Sequence, residues 1–272
     1  MGQPSASGHV ETFGGVTEPQ SDRPVRAVLL TPWIELASTP KWTPPPLARK
    51  ISVLGSLMYH YPADIYTEPE PDTNTLANLG PLTGMAGIWT SADGMDVNPK
   101  PAGPEHQPFI ERYELQPIDA QTNGPQLFYG LRYHTRIVKP QDPETFHDQV
   151  GYWLWEPATD TILLTLSIPR GQTAMAVGRA TRDAKSFTLT AIRGSLTNGI
   201  VSNPFLEQAF RTDRYTITVD IHTDGTWSYE QDTLLIIPGQ QEPFHHTDRN
   251  RLRKIAEPTP NPTALAARHA TE

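Results

Sequence analysis

Alternation is the clearest regularity in the chain. In 215–222, Tyr215, Ile217, Val219 and Ile221 fall on one side, and Thr216, Thr218, Asp220 and His222 on the other. That period of two is the signature of a half-buried strand. The same period runs through 126–138, where Tyr129, Leu131, Tyr133 and Ile137 oppose Arg132, His134 and Arg136. His134 and His222 are therefore expected on the outer surface. Strand composition recurs over 87–91, 109–115, 126–138, 146–156, 161–168, 173–178, 186–193, 213–222, 226–237 and 245–255. The breaks carry turn residues, such as Asn123-Gly124-Pro125, Pro169-Arg170-Gly171 and Thr223-Asp224-Gly225, and are too short for crossover helices. Only 194–210 leaves room for an excursion, with a helical turn expected over 203–210. Thr73 is the expected N-cap of a short helix running through Leu79.

This pattern predicts an all-β fold: an antiparallel up-and-down β-barrel of about ten strands over 73–256, with short helical turns. Closure into a barrel removes exposed sheet edges. Inner faces of Leu, Ile, Val and Tyr predict an apolar interior cavity. Residues 1–24 are polar and rich in Gly, Ser and Pro, and are expected to be flexible. Residues 25–72 are expected to form an arm, with a short strand over 25–30 and a helical or extended run over 47–61. It would pack on the barrel through Trp33, Trp42, Tyr59 and Tyr61. Residues 257–272, with Pro258, Pro260 and Pro262, are expected to be a disordered tail.

Composition narrows the functional classes. Among 272 residues, 28 prolines and 19 glycines speak against a helical protein. A formal net charge of -8 without a basic run speaks against nucleic acid or anionic membrane as partner. The absence of cysteine removes disulfides, thiolate metal sites and thiol nucleophiles, and fits a cytoplasmic location. No secretory signal is expected at the N-terminus, and no stretch approaches the roughly 18 apolar residues of a membrane span. Phosphate-binding glycine loops, a Gly-x-Ser-x-Gly elbow and a His-Glu-x-x-His helix are all missing, which argues against the chemistries those motifs carry.

The last strand offers the best candidate chemistry. Arg249, Arg251 and Arg253 share a face with His245 and Thr247, and arginines without partners belong in water. That turns His246, Asp248, Asn250 and Leu252 inward. Adjacent strand residues face opposite ways, so His245 and His246 do not chelate one ion. A bulge would exchange them, which makes His245 the runner-up. One inward imidazole in an apolar barrel meets the needs of a haem: an axial nitrogen, a greasy slot and an open mouth. The same cavity without iron would suit a carrier of fatty-acid-like or other small apolar ligands. A metal-independent hydrolase or dehydratase is a third reading.

Several stretches resemble one family. Leu79-Gly80-Pro81-Leu82-Thr83-Gly84-Met85-Ala86-Gly87-Ile88-Trp89 is similar to the entry of the nitrobindin-type haem-binding β-barrels, a fatty-acid-binding-protein-like domain also found at the C-terminus of some THAP proteins. Leu127-Phe128-Tyr129, His147-Asp148-Gln149-Val150-Gly151-Tyr152 and Pro243-Phe244-His245-His246 followed by Leu252-Arg253 resemble later family segments. The likeness spans roughly 76–256. After Trp89 the chain reads Thr90-Ser91-Ala92-Asp93-Gly94, without the family's Gly-x-Gly. The resemblance implies ferric haem b held by a histidine of the final strand, here His246 or, as runner-up, His245. It implies a diatomic or other small molecule at iron, and peroxynitrite isomerase-like activity. Leu252, Tyr129, Tyr133 and Tyr152 are the expected pocket residues, and Arg170 and Arg214 candidate partners of the propionates.

Overall fold

The computed structural model describes residues 61–270. The expected flexible segment 1–24, most of the arm over 25–72 and its anchors Trp33, Trp42 and Tyr59 lie outside them.

All ten predicted strands form. In chain order the strands are β1 (Gly87–Asn98), β2 (Glu105–Pro117), β3 (Gln121–Asn123), β4 (Gln126–Lys139), β5 (Asp142–Glu156), β6 (Thr161–Ile168), β7 (Gln172–Arg179), β8 (Ser186–Ile192), β9 (Ile200–Ser202), β10 (Arg211–Ile221), β11 (Trp227–Ile236) and β12 (Phe244–Ala256). Each long strand pairs antiparallel with its neighbours. β1 pairs with β12, and β2 pairs with β4, which closes a barrel of ten strands. The short β3 and β9 lie off this circuit, against β4 and β7.

One end of the barrel is shut. Helix α1 (Thr75–Asn78) and a 3-10 helix over Gly80–Met85 cross it. Asn74, not Thr73, precedes α1 as its cap residue, and it makes no side-chain cap bond. Gly80 adopts a positive φ of 56° and sits where a Cβ would come within 2.6 Å of the Trp155 ring. Glycine is therefore required there on two counts. Leu79, Leu82 and Met85 then descend onto Trp89, Leu115, Leu131, Ile162, Leu189, Trp227 and Leu252, none of which reaches solvent. The Trp89 and Trp155 indoles donate to the carbonyls of Met85 (2.7 Å) and Ala180 (2.9 Å), so the plug is fixed by direction as well as by burial.

The other end is open, and two features shape it. β7 and β8 share only two residue pairs, Val177 with Thr190 and Gly178 with Leu189. Toward the mouth β7 pairs instead with β9. Helix α2 (Pro204–Ala209) follows, capped by the Asn203 side chain, which accepts from the Phe205 and Leu206 amides. Helix and strand realise the excursion expected between 194 and 210.

The last residues differ from expectation. In place of a disordered tail over 257–272, the described part ends in helix α3 (Pro262–His269). Asn261 is buried, donates to the Thr73 carbonyl and the Asp119 carboxylate, and accepts from the Thr75 amide. Three prolines stiffen this segment, and one asparagine satisfies several buried backbone groups at once. Upstream, Tyr61 donates to the Glu156 carboxylate (3.1 Å), and the Asp72 amide donates to the Tyr129 hydroxyl (3.0 Å).

Candidate functional site

β12 runs in unbroken register against β11, from Phe244 opposite Leu235 to Leu252 opposite Trp227. Its alternation is therefore preserved. His246, Asp248, Asn250 and Leu252 turn inward. His245 turns outward, half exposed, with its Nδ1 at 2.9 Å from Asp232.

The irregularity lies across the seam, in β1. Register shifts against both neighbours place one extra residue between Ser91 and Gly94. A bulge of this kind reverses which residues face inward. Trp89 and Ser91 are buried before it, Gly94 and Asp96 after it. A Cβ on Gly94 would lie 2.1 Å from the Phe109 ring, so the strand returns to the barrel only where there is no side chain. The consequence is a buried Asp96 facing β12, with Oδ1 at 2.7 Å from His246 Nε2. Asn98 donates to its other oxygen at 2.8 Å.

His246 and Asp96 form part of the wall of a cavity of about 370 Å³ at the open end. Its apolar lining includes Phe109, Ile137, Phe146, Leu166, Phe210 and Leu235. Arg170 and Lys100 also line it. The cavity is apolar over most of its wall, as expected, but His147, Gln149, Gln231 and Asp248 also face it. His147 sits on the inner side of β5, with Nε2 at 3.3 Å from Gln149 Oε1. Burial holds its imidazole below the ordinary histidine range, against the hydrogen bond with Gln149. For His246, burial pulls the same way but is outweighed by the hydrogen bond and charge of Asp96, so its pKa is raised. Burial pushes the Asp248 carboxyl up to about 7, although Gln231 donates to it and His246 is near.

Beneath the cavity lies a polar belt. Tyr215 donates to Gln231 (2.6 Å), and Gln149 donates to the Tyr133 hydroxyl (2.7 Å). Deeper still, Glu111 is buried and accepts from Thr135 (2.6 Å), Tyr229 (2.9 Å) and Asn250 (2.7 Å).

Of the residues expected at the pocket, His246 and Arg170 line the cavity. Leu252 belongs to the dry plug at the far end, and Tyr129 is buried under Asp72. Tyr133 stands one hydrogen bond behind the wall, through Gln149. Tyr152 is 43% exposed on the outer face, as its odd offset from His147 on β5 dictates. Arg214 lies near Asp232 outside (3.7 Å), whereas Arg170 lines the cavity. His134 is on the outer surface beside Asp148 (3.0 Å). Sequence reasoning missed His147, Asp96, Gln149 and Gln231. His147 and Gln149 were accessible by extending the inward face of β5 upward from Trp153. Asp96 was not, because the bulge breaks the alternation that would have placed it.

Among the described residues no group of three or more His, Cys, Asp or Glu could hold a metal ion, and no helix is long and apolar enough to cross a membrane. No curated protein matches this chain. A solved structure titled "Crystal Structure of Rv2717c from M. tuberculosis" is similar at 22% identity and a TM-score of 0.44, over 66% of this chain and 97% of that one. The family model described as "THAP4-like, heme-binding beta-barrel domain" matches residues 78–254, from the plug through the bulge in β1 to the histidine strand, and the chain belongs to that family.

Proposed function

We propose that the open-end cavity binds haem b with His246 as the axial ligand, and that a small diatomic or anionic ligand such as nitric oxide or peroxynitrite reacts there. The observation that carries this is the His246–Asp96 pair: of the two imidazoles on the cavity wall, His246 is the one oriented by a buried carboxylate, while its neighbour His245 is outside.

The residues present fit the group. Aromatic and aliphatic side chains supply apolar walls for a flat ring system. A carboxylate on one ring nitrogen fixes the orientation of a ligating imidazole and makes the other nitrogen the better donor. Arg170 and Lys100 offer cationic partners for two propionates. Bound haem would supply an iron centre that takes small ligands, its reactivity set by the polarity of the open face. His147 and Gln149 bring donors and acceptors to the same cavity, and the low basicity of His147 leaves it a neutral imidazole near pH 7. The carrier alternative draws less support, because an apolar guest without iron makes no use of the His246–Asp96 pair.

Titrating hemin into the purified protein tests this directly. A Soret band that saturates at one equivalent, persists in His245→Ala and is lost or strongly shifted in His246→Ala supports the assignment. Unchanged spectra and affinity in His246→Ala remove it. Nitric oxide binding and the conversion of peroxynitrite to nitrate are then measured on the loaded protein.

A further inference from the structure

Below the cavity lies a smaller void of about 20 Å³. Trp227, Tyr113 and Glu111 line it, together with His147, Gln149 and Gln231, which also line the cavity above. A polar void of roughly 10–15 Å³ or more is large enough for one water if it offers two to four partners.

Trp227 Nε1 is buried and has no partner among the described residues. A buried indole N–H left without an acceptor costs about 1–3 kcal/mol. The Tyr113 hydroxyl accepts from Trp153 Nε1 at 3.2 Å, and its own proton is not taken by any hydrogen bond found among the described residues. Both unspent groups are donors. A water oxygen accepts two hydrogen bonds. One comes from Trp227 Nε1. The other comes from the Glu111 O–H while that acid is protonated, or from Tyr113 once Glu111 is ionised and accepts from the water instead. Gln149 or His147 takes a water proton.

We infer that the inner void holds one ordered water that joins the Glu111 carboxyl to the cavity, so that Glu111 serves as a proton store for chemistry in the cavity. The transfer is balanced and reversible. The carboxyl O–H bond breaks and its proton passes to the water oxygen. One of the water's protons passes to the imidazole nitrogen of His147, which becomes a cation facing the cavity. Glu111 is left as a carboxylate held by the Asn250 amide and the Thr135 and Tyr229 hydroxyls. Return of a proton from the cavity restores the acid. Among the described residues no lysine or arginine lines the void, so a carboxylate there would be a buried charge without a cationic partner, and burial raises the Glu111 pKa in spite of the three donors. The titratable groups that face the void are Tyr113, Tyr215, Tyr229 and His147, with Asp248 further along β12. The tyrosines are held neutral by burial.

The use of the stored proton rests on the function proposed above, but the water and the acid do not, so they are tested on haem-free protein. Infrared spectroscopy near neutral pH should show a protonated-carboxyl C=O band that shifts in D2O and is lost in Glu111→Gln. In Trp227→Phe the band should persist, with its exchange into D2O slowed at least severalfold. A high-resolution crystal structure should place one water within hydrogen-bond reach of Trp227 Nε1 and Glu111. An empty void, or the lack of any band that depends on Glu111, overturns the inference whether or not hemin binds. Failure of hemin binding with the band and the water present would instead remove only the haem assignment.

Discussion

The two ends of this barrel are built from the same strands and obey opposite rules. At the shut end the inward positions are mostly Trp, Leu and Ile, and the indoles of Trp89 and Trp155 are paired with backbone carbonyls. At the open end the same strands, a few residues on, present histidines, glutamines and carboxylates around a cavity. Stability and chemistry are thus separated along the strand axis by about four inward positions. Inward-facing polarity in a barrel is costly unless every group is paired, and it is concentrated in the half where a ligand or water can do the pairing.

The contrast is easiest to break with the largest side chains. Trp89→Ala should destabilise the protein by about 3–5 kcal/mol, because it empties a site under the plug that cannot collapse. Chemical denaturation measures this. Phe146→Ala, on the rim of the cavity, should cost less than half as much; an equal loss would show that the open end is also core. For hemin the order reverses. His246→Ala should lower affinity at least tenfold, about 1.4 kcal/mol or more, while costing only about 1–2 kcal/mol in stability, since Asp96 keeps its bond from Asn98. Asp96→Asn should weaken hemin binding by about tenfold, as loss of a supporting carboxylate does.

A pH series separates the ends more finely. His246 has a folded pKa raised above 6.5, so the stability contributed by its pairing is fully present below 6.5 and fades as the pH rises through the raised value. Asp248, raised to about 7, acts in the same direction, because ionising it in place becomes a cost as the pH climbs from about 4 through 7. The haem-free protein should therefore lose stability between pH 6 and pH 8, measured as a falling denaturation midpoint, and Asp96→Asn should flatten that loss. Hemin affinity should move oppositely and rise with pH, because iron competes with a proton for the same imidazole. The smallest effect belongs to the outer wall: Tyr152→Ala should change stability by no more than about 0.5 kcal/mol and leave hemin binding unaltered.

How far the sequence could be read follows the same division. Strand composition between turn residues located all ten barrel strands, and alternation turned His246 inward and His245 outward, because β12 holds its register against β11. The stretch that forms the plug, Leu79-Gly80-Pro81-Leu82 before Trp89, stood out by its family resemblance and not by any sign that it closes one end. The polar belt was written in the chain as well: Glu111 stands between Phe109 and Tyr113 on one face of β2. It passed unread because a lone carboxylate within an apolar face has no local partner in sequence. Its partners, Thr135, Tyr229 and Asn250, come from three other strands. Asp96 was hidden by the bulge. Leu252 and Tyr129 were assigned to the pocket on facing alone. An inward direction does not say how far along the barrel axis a residue lies. That depth depends on where the plug sits, and only the closed structure provides it.

The short β7–β8 seam has an evolutionary meaning. Because the wall beside the mouth is completed by β9 and α2, the room available to a ligand is set by an insert between two barrel strands. Residues 193–210 can lengthen, shorten or change character without moving a single pair of the plug. A lineage carrying this architecture could exchange one guest molecule for another while inheriting the plug untouched.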